Sequence, residues 1–175
     1  MSGNFLLRKT LSTMQTEFVE GNFVRCNRRW NYVNKTQPFN MFYYIINGKC
    51  SVEIGGEKLI ARPGQMVLLP HYHPLTLSLA GVDFMDKYWC GFYSAIGGAD
   101  IFDLIKTKHV INVDDTIYVE DLFDRLLTYP CYKNEEADII KKNATLSLII
   151  AYFIEHAYID GNEAGRAEYD FESVI

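Results

Sequence analysis

Between Met41 and His73, short apolar and aromatic runs are cut at regular intervals by glycine. Phe42-Tyr43-Tyr44-Ile45-Ile46 leads into Asn47-Gly48, and Cys50-Ser51-Val52-Glu53-Ile54 leads into Gly55-Gly56. Leu59-Ile60-Ala61 meets Arg62-Pro63-Gly64, and Met66-Val67-Leu68-Leu69 stops at Pro70. Aromatic and β-branched runs between glycine turns predict strands joined by hairpins. Gly55-Gly56 can supply the positive φ angles of a two-residue hairpin. Pro63-Gly64 suits the middle of a type II turn, where proline fixes φ and glycine takes φ > 0. The product is a β-meander that can roll into a small barrel. Upstream, residues 17–29 hold a strand best defined at Phe23-Val24-Arg25-Cys26, and Asn31 to Pro38 reads as a polar loop. Downstream, Leu75, Leu77 and Leu79 alternate with Thr76 and Ser78, the pattern of a half-buried strand. Lys87-Tyr88-Trp89-Cys90-Gly91-Phe92-Tyr93 forms another aromatic strand that Gly97-Gly98 ends, and Val110-Ile111-Asn112-Val113 supplies a last one. Roughly seven or eight short strands match a small sandwich or barrel.

The period changes at Asp114. Asp114 or Asp115 can cap a helix by accepting from free backbone N–H groups. Val119, Leu122, Phe123, Leu126 and Leu127 then recur at helical spacing until Pro130. A second helix starts near Asn134, with Glu135 and Glu136 in its first turn, and runs to about Ala157. Its residues Ile139, Asn143, Leu146, Ile150 and Phe153 form a heptad-like seam, while Ile140, Leu148, Ala151 and Ile154 are apolar off that seam. A helix that is apolar all round must be covered on more than one side. The seam is the expected dimer interface; a helix wholly internal to one domain is the alternative.

Composition narrows the picture. The 175 residues suffice for one buried core, and with 49% apolar and 14% aromatic residues the chain is globular. The net charge of -5, from 17 basic and 22 acidic residues, argues against this stretch gripping nucleic acid alone. No run approaches the ~20 apolar residues of a membrane span, and the first residues lack a signal peptide's apolar block. Cys26, Cys50, Cys90 and Cys131 are far apart and form no C-x-x-C pair, which reads as reduced thiols in a cytoplasmic protein. Residues 1–16 read as an arm, 17–113 as the barrel, 114–158 as the helical hairpin, and 159–175 as a linker toward a further domain.

Candidate chemistry is that of binding. Arg28, Arg29 and Trp30 precede the barrel strands; an arginine turned inward would fork to hydroxyls or a carboxylate, and the alternative is two solvated arginines beside a core tryptophan. Tyr88 and Trp89 are neighbours on one strand and face opposite sides, as do Tyr43 and Tyr44. One of each pair belongs to the core and the other can line a cavity, stacking on a sugar or ring. The ligand-binding candidates are Arg28, Arg29, Trp30, Tyr44, His73, Tyr88 and Trp89. No G-x-S-x-G, phosphate loop or dinucleotide fingerprint is present.

Ile46-Asn47-Gly48, Gly55-Gly56-Glu57, Arg62-Pro63-Gly64 through Pro70 with His73 close behind, and Tyr88-Trp89-Cys90-Gly91-Phe92 together resemble the amino-terminal cupin domain of AraC-type bacterial transcription regulators. The resemblance spans roughly residues 20–158, with Gln65 replacing the usual acid and Gly91 standing where that family often has histidine. It implies a mainly β, cupin-like barrel (a double-stranded β-helix or jelly roll) followed by two helices, one of which dimerises. It implies an effector, often a sugar, inside the barrel, held by Arg28 or Arg29, by His73 and its neighbours, and by Trp89 with Tyr88 adjacent. It also implies a homodimer, an arm over the barrel mouth, and DNA binding only through a helix-turn-helix domain beyond Ile175. In metal-binding cupins an H-x-H pair and a glutamate precede the meander; here Lys35, Thr36, Gln37 and Met41 occupy that region. His71 and His73 lack a third ligand at usable spacing, so no metal and no cofactor are expected. The rivals to a ligand sensor are a stand-alone cupin enzyme, such as a sugar isomerase or epimerase, and a structural dimerisation module with a filled barrel.

Overall fold

The computed structural model describes residues 11–128 and 135–157. The expectations for the first ten residues, Pro130, Cys131, Asn134 and the linker lie outside them. Ten strands form: β1 (Gln15–Asn27), β2 (Asn31–Lys35), β3 (Asn40–Asn47), β4 (Cys50–Ile54), β5 (Glu57–Ala61), β6 (Gln65–Leu69), β7 (Leu75–Leu79), β8 (Phe84–Ile96), β9 (Ala99–Asp100) and β10 (Val110–Asn112). A helical turn, α1 (Ile101–Leu104), precedes β10, and α2 (Thr116–Thr128) and α3 (Glu135–Ala157) follow it. The larger, six-stranded sheet runs β1-β8-β3-β6-β10 with β9 on β8; the smaller, four-stranded sheet runs β2-β7-β4-β5. The chain passes repeatedly from one sheet to the other, winding as a double-stranded β-helix. This is the small mainly β barrel that the alternating runs predict, and the cupin-like one that the resemblance implies.

The turns form as their residues require. Gly55 and Gly56 have φ of 56° and 93°, joining β4 to β5 with Ile54 opposite Glu57. Two consecutive positive φ angles suit the right-handed twist of the strands they connect. Gly64 has φ of 78°, and the Gln65 N–H reaches the Arg62 carbonyl at 3.0 Å across the Pro63-Gly64 turn.

One expected loop is a strand. Asn31–Lys35 pairs antiparallel with β7, although all five of its residues are exposed. It is an edge strand, polar apart from Tyr32 and Val33, with an irregularity between Tyr32 and Lys35, where Asn34 takes φ of 49°. Bulges and polar residues blunt an edge against further pairing, and they also erase the alternation by which a strand is read.

The protein has two principal cores, one on each side of the larger sheet. Met41, Tyr43, Ile45, Val67, Leu69 and Met85 point into the barrel toward Cys50, Val52, Leu75 and Leu77 of the smaller sheet. Phe42, Tyr44, Met66, Leu68, Cys90 and Phe92 point out of it and are covered by α2 and α3 through Leu122, Phe123, Leu126, Leu146, Ile150 and Phe153. The helices thus lie on the barrel wall. Asp115 caps α2, its carboxylate accepting from the Tyr118 N–H at 2.9 Å. From α3, the Tyr152 hydroxyl accepts from the N–H groups of Asp114 and Asp115 at 3.1 and 3.3 Å. No helix among the described residues is long and apolar enough to cross a membrane.

Candidate functional site

The inward column of the long strand pair builds the site. β1 and β8 pair with Cys26 opposite Met85, Val24 opposite Lys87 and Asn22 opposite Trp89. The side-chain period of two sends Lys87 and Trp89 into the barrel and Tyr88 and Cys90 out of it. Glu20, opposite Gly91, continues the inward column of Val24 and Asn22, and a bulge between Phe18 and Glu20 then shifts the phase so that Phe18 packs on the outer core. On the neighbouring strand β3, Tyr43 faces inward between Met41 and Ile45.

These residues surround a chamber of about 570 Å³. Its wall carries Trp30, Tyr32, Tyr43 and Trp89, its apolar floor includes Met41, Leu75 and Leu77, and its charged groups are Lys87, Arg25, Arg29, Lys35 and Glu20. A cavity of this size, apolar with a few convergent polar groups, is of the kind that encloses a small molecule. Gly91 sits further along the inward column. A Cβ there would stand 2.7 Å from the Phe39 ring, so Phe39 fills the space that a histidine would occupy.

Lys87 dominates the electrostatics. It is 2% exposed, with its Nζ 3.0 Å from the centre of the Tyr43 ring and 4.4 Å from that of Trp30. Burial pulls its ammonium down to about 7, because a charge removed from water loses its hydration. The two π faces return part of that loss. Burial also pushes the Cys50 thiol up to about 12, raises the Cys26 thiol, and raises the Tyr43 phenol well above its usual value. All three stay neutral near pH 7, and none serves as an anion for Lys87. The adjacent Asp86 points the other way and is gripped by Arg25 through two hydrogen bonds of 2.7 and 2.8 Å, which hold its carboxyl below the usual range.

Three of the expected ligand residues line the chamber: Arg29, Trp30 and Trp89. The other four do not. Arg28 pairs with Asp83 at the surface. Tyr44 and Tyr88 belong to the outer core, where both stack on Phe123 and the Tyr88 hydroxyl donates to Asp124 at 2.7 Å. His73 is exposed and its Nδ1 lies 2.8 Å from the His71 carbonyl, while His71 Nε2 lies 3.0 Å from Asp103. Strand parity accounts for the tyrosines, since each neighbours an inward residue. Of the pair Tyr43 and Tyr44 it is Tyr43 that faces the chamber, and Lys87 lies there outside the expected set. Parity relative to Trp89 was the signal for Lys87. Among the described residues, no group of three or more His, Cys, Asp or Glu could hold a metal ion.

Most of the expected dimer seam lies against the chain's own barrel wall. Leu146, Ile150 and Phe153 have no exposed surface, and Phe153 lies 4.9 Å from the Phe42 ring on the barrel wall. Asn143 ties α3 to β1, its side-chain oxygen accepting from the Phe18 N–H at 3.0 Å and its carbonyl from the Thr16 hydroxyl at 3.1 Å. Only Ile139 of the five is exposed, at 59%. Ile140, Ala144, Leu148 and Ala151 form the face of α3 turned to solvent.

A family model described as the AraC-like ligand binding domain matches residues 23–146. No curated protein matches the chain in sequence. Among solved structures it is similar to an RmlC-like cupin protein with a double-stranded β-helix fold from Methanocaldococcus jannaschii, at 15% identity, over 44% of this chain and 72% of that one, with a TM-score of 0.39. It is also similar to the EutQ protein of Clostridium difficile, at 15% identity over 45% and 67% of the two chains, with a TM-score of 0.36. A conserved Streptococcus pyogenes protein of unknown function shows 14% identity over 45% and 72%, with a TM-score of 0.37.

Proposed function

The chain belongs to the AraC-like ligand binding domain family, and from that premise we propose that it is the effector-sensing and dimerisation module of a cytoplasmic transcriptional regulator. The observation that carries this reading is the chamber of about 570 Å³ between the sheets, walled by Trp30, Tyr43, Lys87 and Trp89. A small molecule, with sugars among the candidate classes, enters the chamber and biases the arrangement of two subunits. That bias reaches DNA through a helix-turn-helix domain outside these 175 residues. Such coupling requires that the ligand bind the two arrangements with different affinity. The role is regulatory rather than catalytic.

The dimer reading is supported by the solvent-facing side of α3, where Ile139, Ile140 and Leu148 are 59%, 69% and 49% exposed. A run of exposed aliphatic side chains along one helix face is the kind of surface a second copy covers. Membership of the family supports the sensing role.

The test is a thermal-shift and calorimetric screen of sugars and small organic acids against the protein and its Trp89→Ala variant. A specific ligand raises the apparent Tm by mass action. The expected result is a ligand whose affinity drops at least tenfold in the variant while the association state is unchanged. Normal affinity in the variant removes Trp89, and with it this chamber, from the sensing site.

A further inference from the structure

We propose that the chamber selects an anionic ligand, a small carboxylate with an apolar or aromatic body, and that Lys87 is the group that receives its charge. The inference rests on the sensing reading and narrows its ligand class.

The placement of Lys87 is the first observation. Its Nζ stands over the Tyr43 and Trp30 rings, and among the described residues no carboxylate, carbonyl or amide oxygen is bonded to it. A structural lysine that is 2% exposed ordinarily has an anion or several acceptors beside it. Here the charged groups that face it are sparse. Its own strand places Asp86 on the opposite face, committed to Arg25. From β1 it meets Cys26, from β3 Tyr43 and from β4 Cys50, none of them an anion near neutral pH. The remaining ionisable groups of the chamber are Arg25, Arg29, Lys35, Tyr32 and Glu20.

The sign of the chamber is the second. The chain carries a net charge of -5, yet with Arg25 committed to Asp86 the chamber wall still bears three basic side chains, Arg29, Lys35 and Lys87, against one carboxylate, Glu20. Two of those cations, Arg29 and Lys35, stand in exposed positions while Lys87 is buried. A field of this sign draws anions inward and repels cations. The walls of tryptophan, tyrosine, leucine and methionine take an apolar body behind the charged end. A carboxylate at Lys87 restores the ammonium form by direct pairing, so binding takes up a proton whenever the free lysine is partly neutral.

The experiment compares acids with their uncharged isosteres. Benzoate, indole-3-acetate and the straight-chain acids from butanoate to decanoate are titrated into the protein beside the matching amides, with arabinose and glucose as neutral hydroxylated probes. Calorimetry is run from pH 6 to pH 9 and in two buffers of different ionisation heat. The expected result is binding by at least one acid, at least tenfold tighter than its amide. Its affinity should be flat below pH 7, fall toward tenfold per pH unit above it, and show net proton uptake at pH 7. Lys87→Met, which removes the charge and keeps the stem, should abolish the acid's advantage over the amide. Equal binding of acid and amide, a pH-independent affinity, or an undiminished acid preference in Lys87→Met overturns the assignment. Binding of sugars without acids overturns the anionic inference and leaves the sensing reading standing. Binding of no probe by wild type and variant alike overturns both.

Discussion

Strands β3 and β8 send Phe42, Tyr44, Cys90 and Phe92 to one side of the larger sheet, and Tyr43, Lys87 and Trp89 to the other. The outer side is closed: Phe42 stacks on Phe92 at 4.8 Å and meets Phe153 at 4.9 Å, and Phe42, Phe92 and Phe153 expose no surface. The inner side keeps a chamber and a buried lysine. The same backbone carries both, so the difference lies in what stands opposite. On the outside two helices cover the sheet, and on the inside the smaller sheet leaves a chamber. One face is packed solid, and the other gives up packing for a chamber.

The largest effect that separates the faces is Phe153→Ala. It removes a fully buried ring from the helix–sheet core, and ring deletions of this kind cost about 3–5 kcal/mol. Urea denaturation should show that loss, while Trp89→Ala, whose side chain borders the chamber and is only half-buried, should cost less than half as much. Equal losses would mean that the inner face is as tightly packed as the outer one.

Lys87→Met should act in the opposite direction. The unfolded lysine keeps its proton up to 10.5, whereas the folded one is pulled down to about 7. Between those values the unfolded chain binds more protons, so stability rises with pH through the window from 7 to 10.5. Below pH 7 the full penalty of burying the ammonium applies. Methionine removes it, and the ligand-free protein should gain on the order of 3 kcal/mol at pH 6, since replacing a buried ion by an apolar side chain is often stabilising. The variant's denaturation midpoint should also lose the wild type's rise between pH 7 and pH 9. A destabilised variant would mean that the contact of Nζ with Tyr43 and Trp30 outweighs the lost hydration.

The legibility of these features in the sequence follows their range. The Gly55-Gly56 hairpin, the Pro63-Gly64 turn and the alternation of β7 are set by neighbours in the chain, and each forms where it was expected. β2 carries the pattern of a loop because an exposed edge strand has no buried face to impose a period. Parity divides Tyr88 from Trp89, but which of them enters the barrel depends on which side the smaller sheet closes, a long-range fact. Lys87 was passed over because a lysine beside aromatic residues reads as surface; two positions from Trp89, it shares the tryptophan's fate. The packing of the helix seam is a matter of range in the same way. Leu146, Ile150 and Phe153 do form one stripe, and the barrel wall occupies it.

That packing makes the smallest stability effect a sharp test. With the seam buried against the chain's own sheet, the face left for a second copy is the one bearing Ile140 and Leu148. Both lie in solvent within a single chain, so replacing them with glutamine should change the stability of a lone subunit by less than about 0.5 kcal/mol, as exposed substitutions do. The same pair should weaken self-association at least tenfold in sedimentation equilibrium, because a buried Ile or Leu each contributes about 1.5–3 kcal/mol when covered. Unfolding of the dimer would then depend on protein concentration in the wild type and not in the variant. If the double variant associates as the wild type does, α3 contributes its outer face to no dimer, and the two sides of the larger sheet differ without help from a partner.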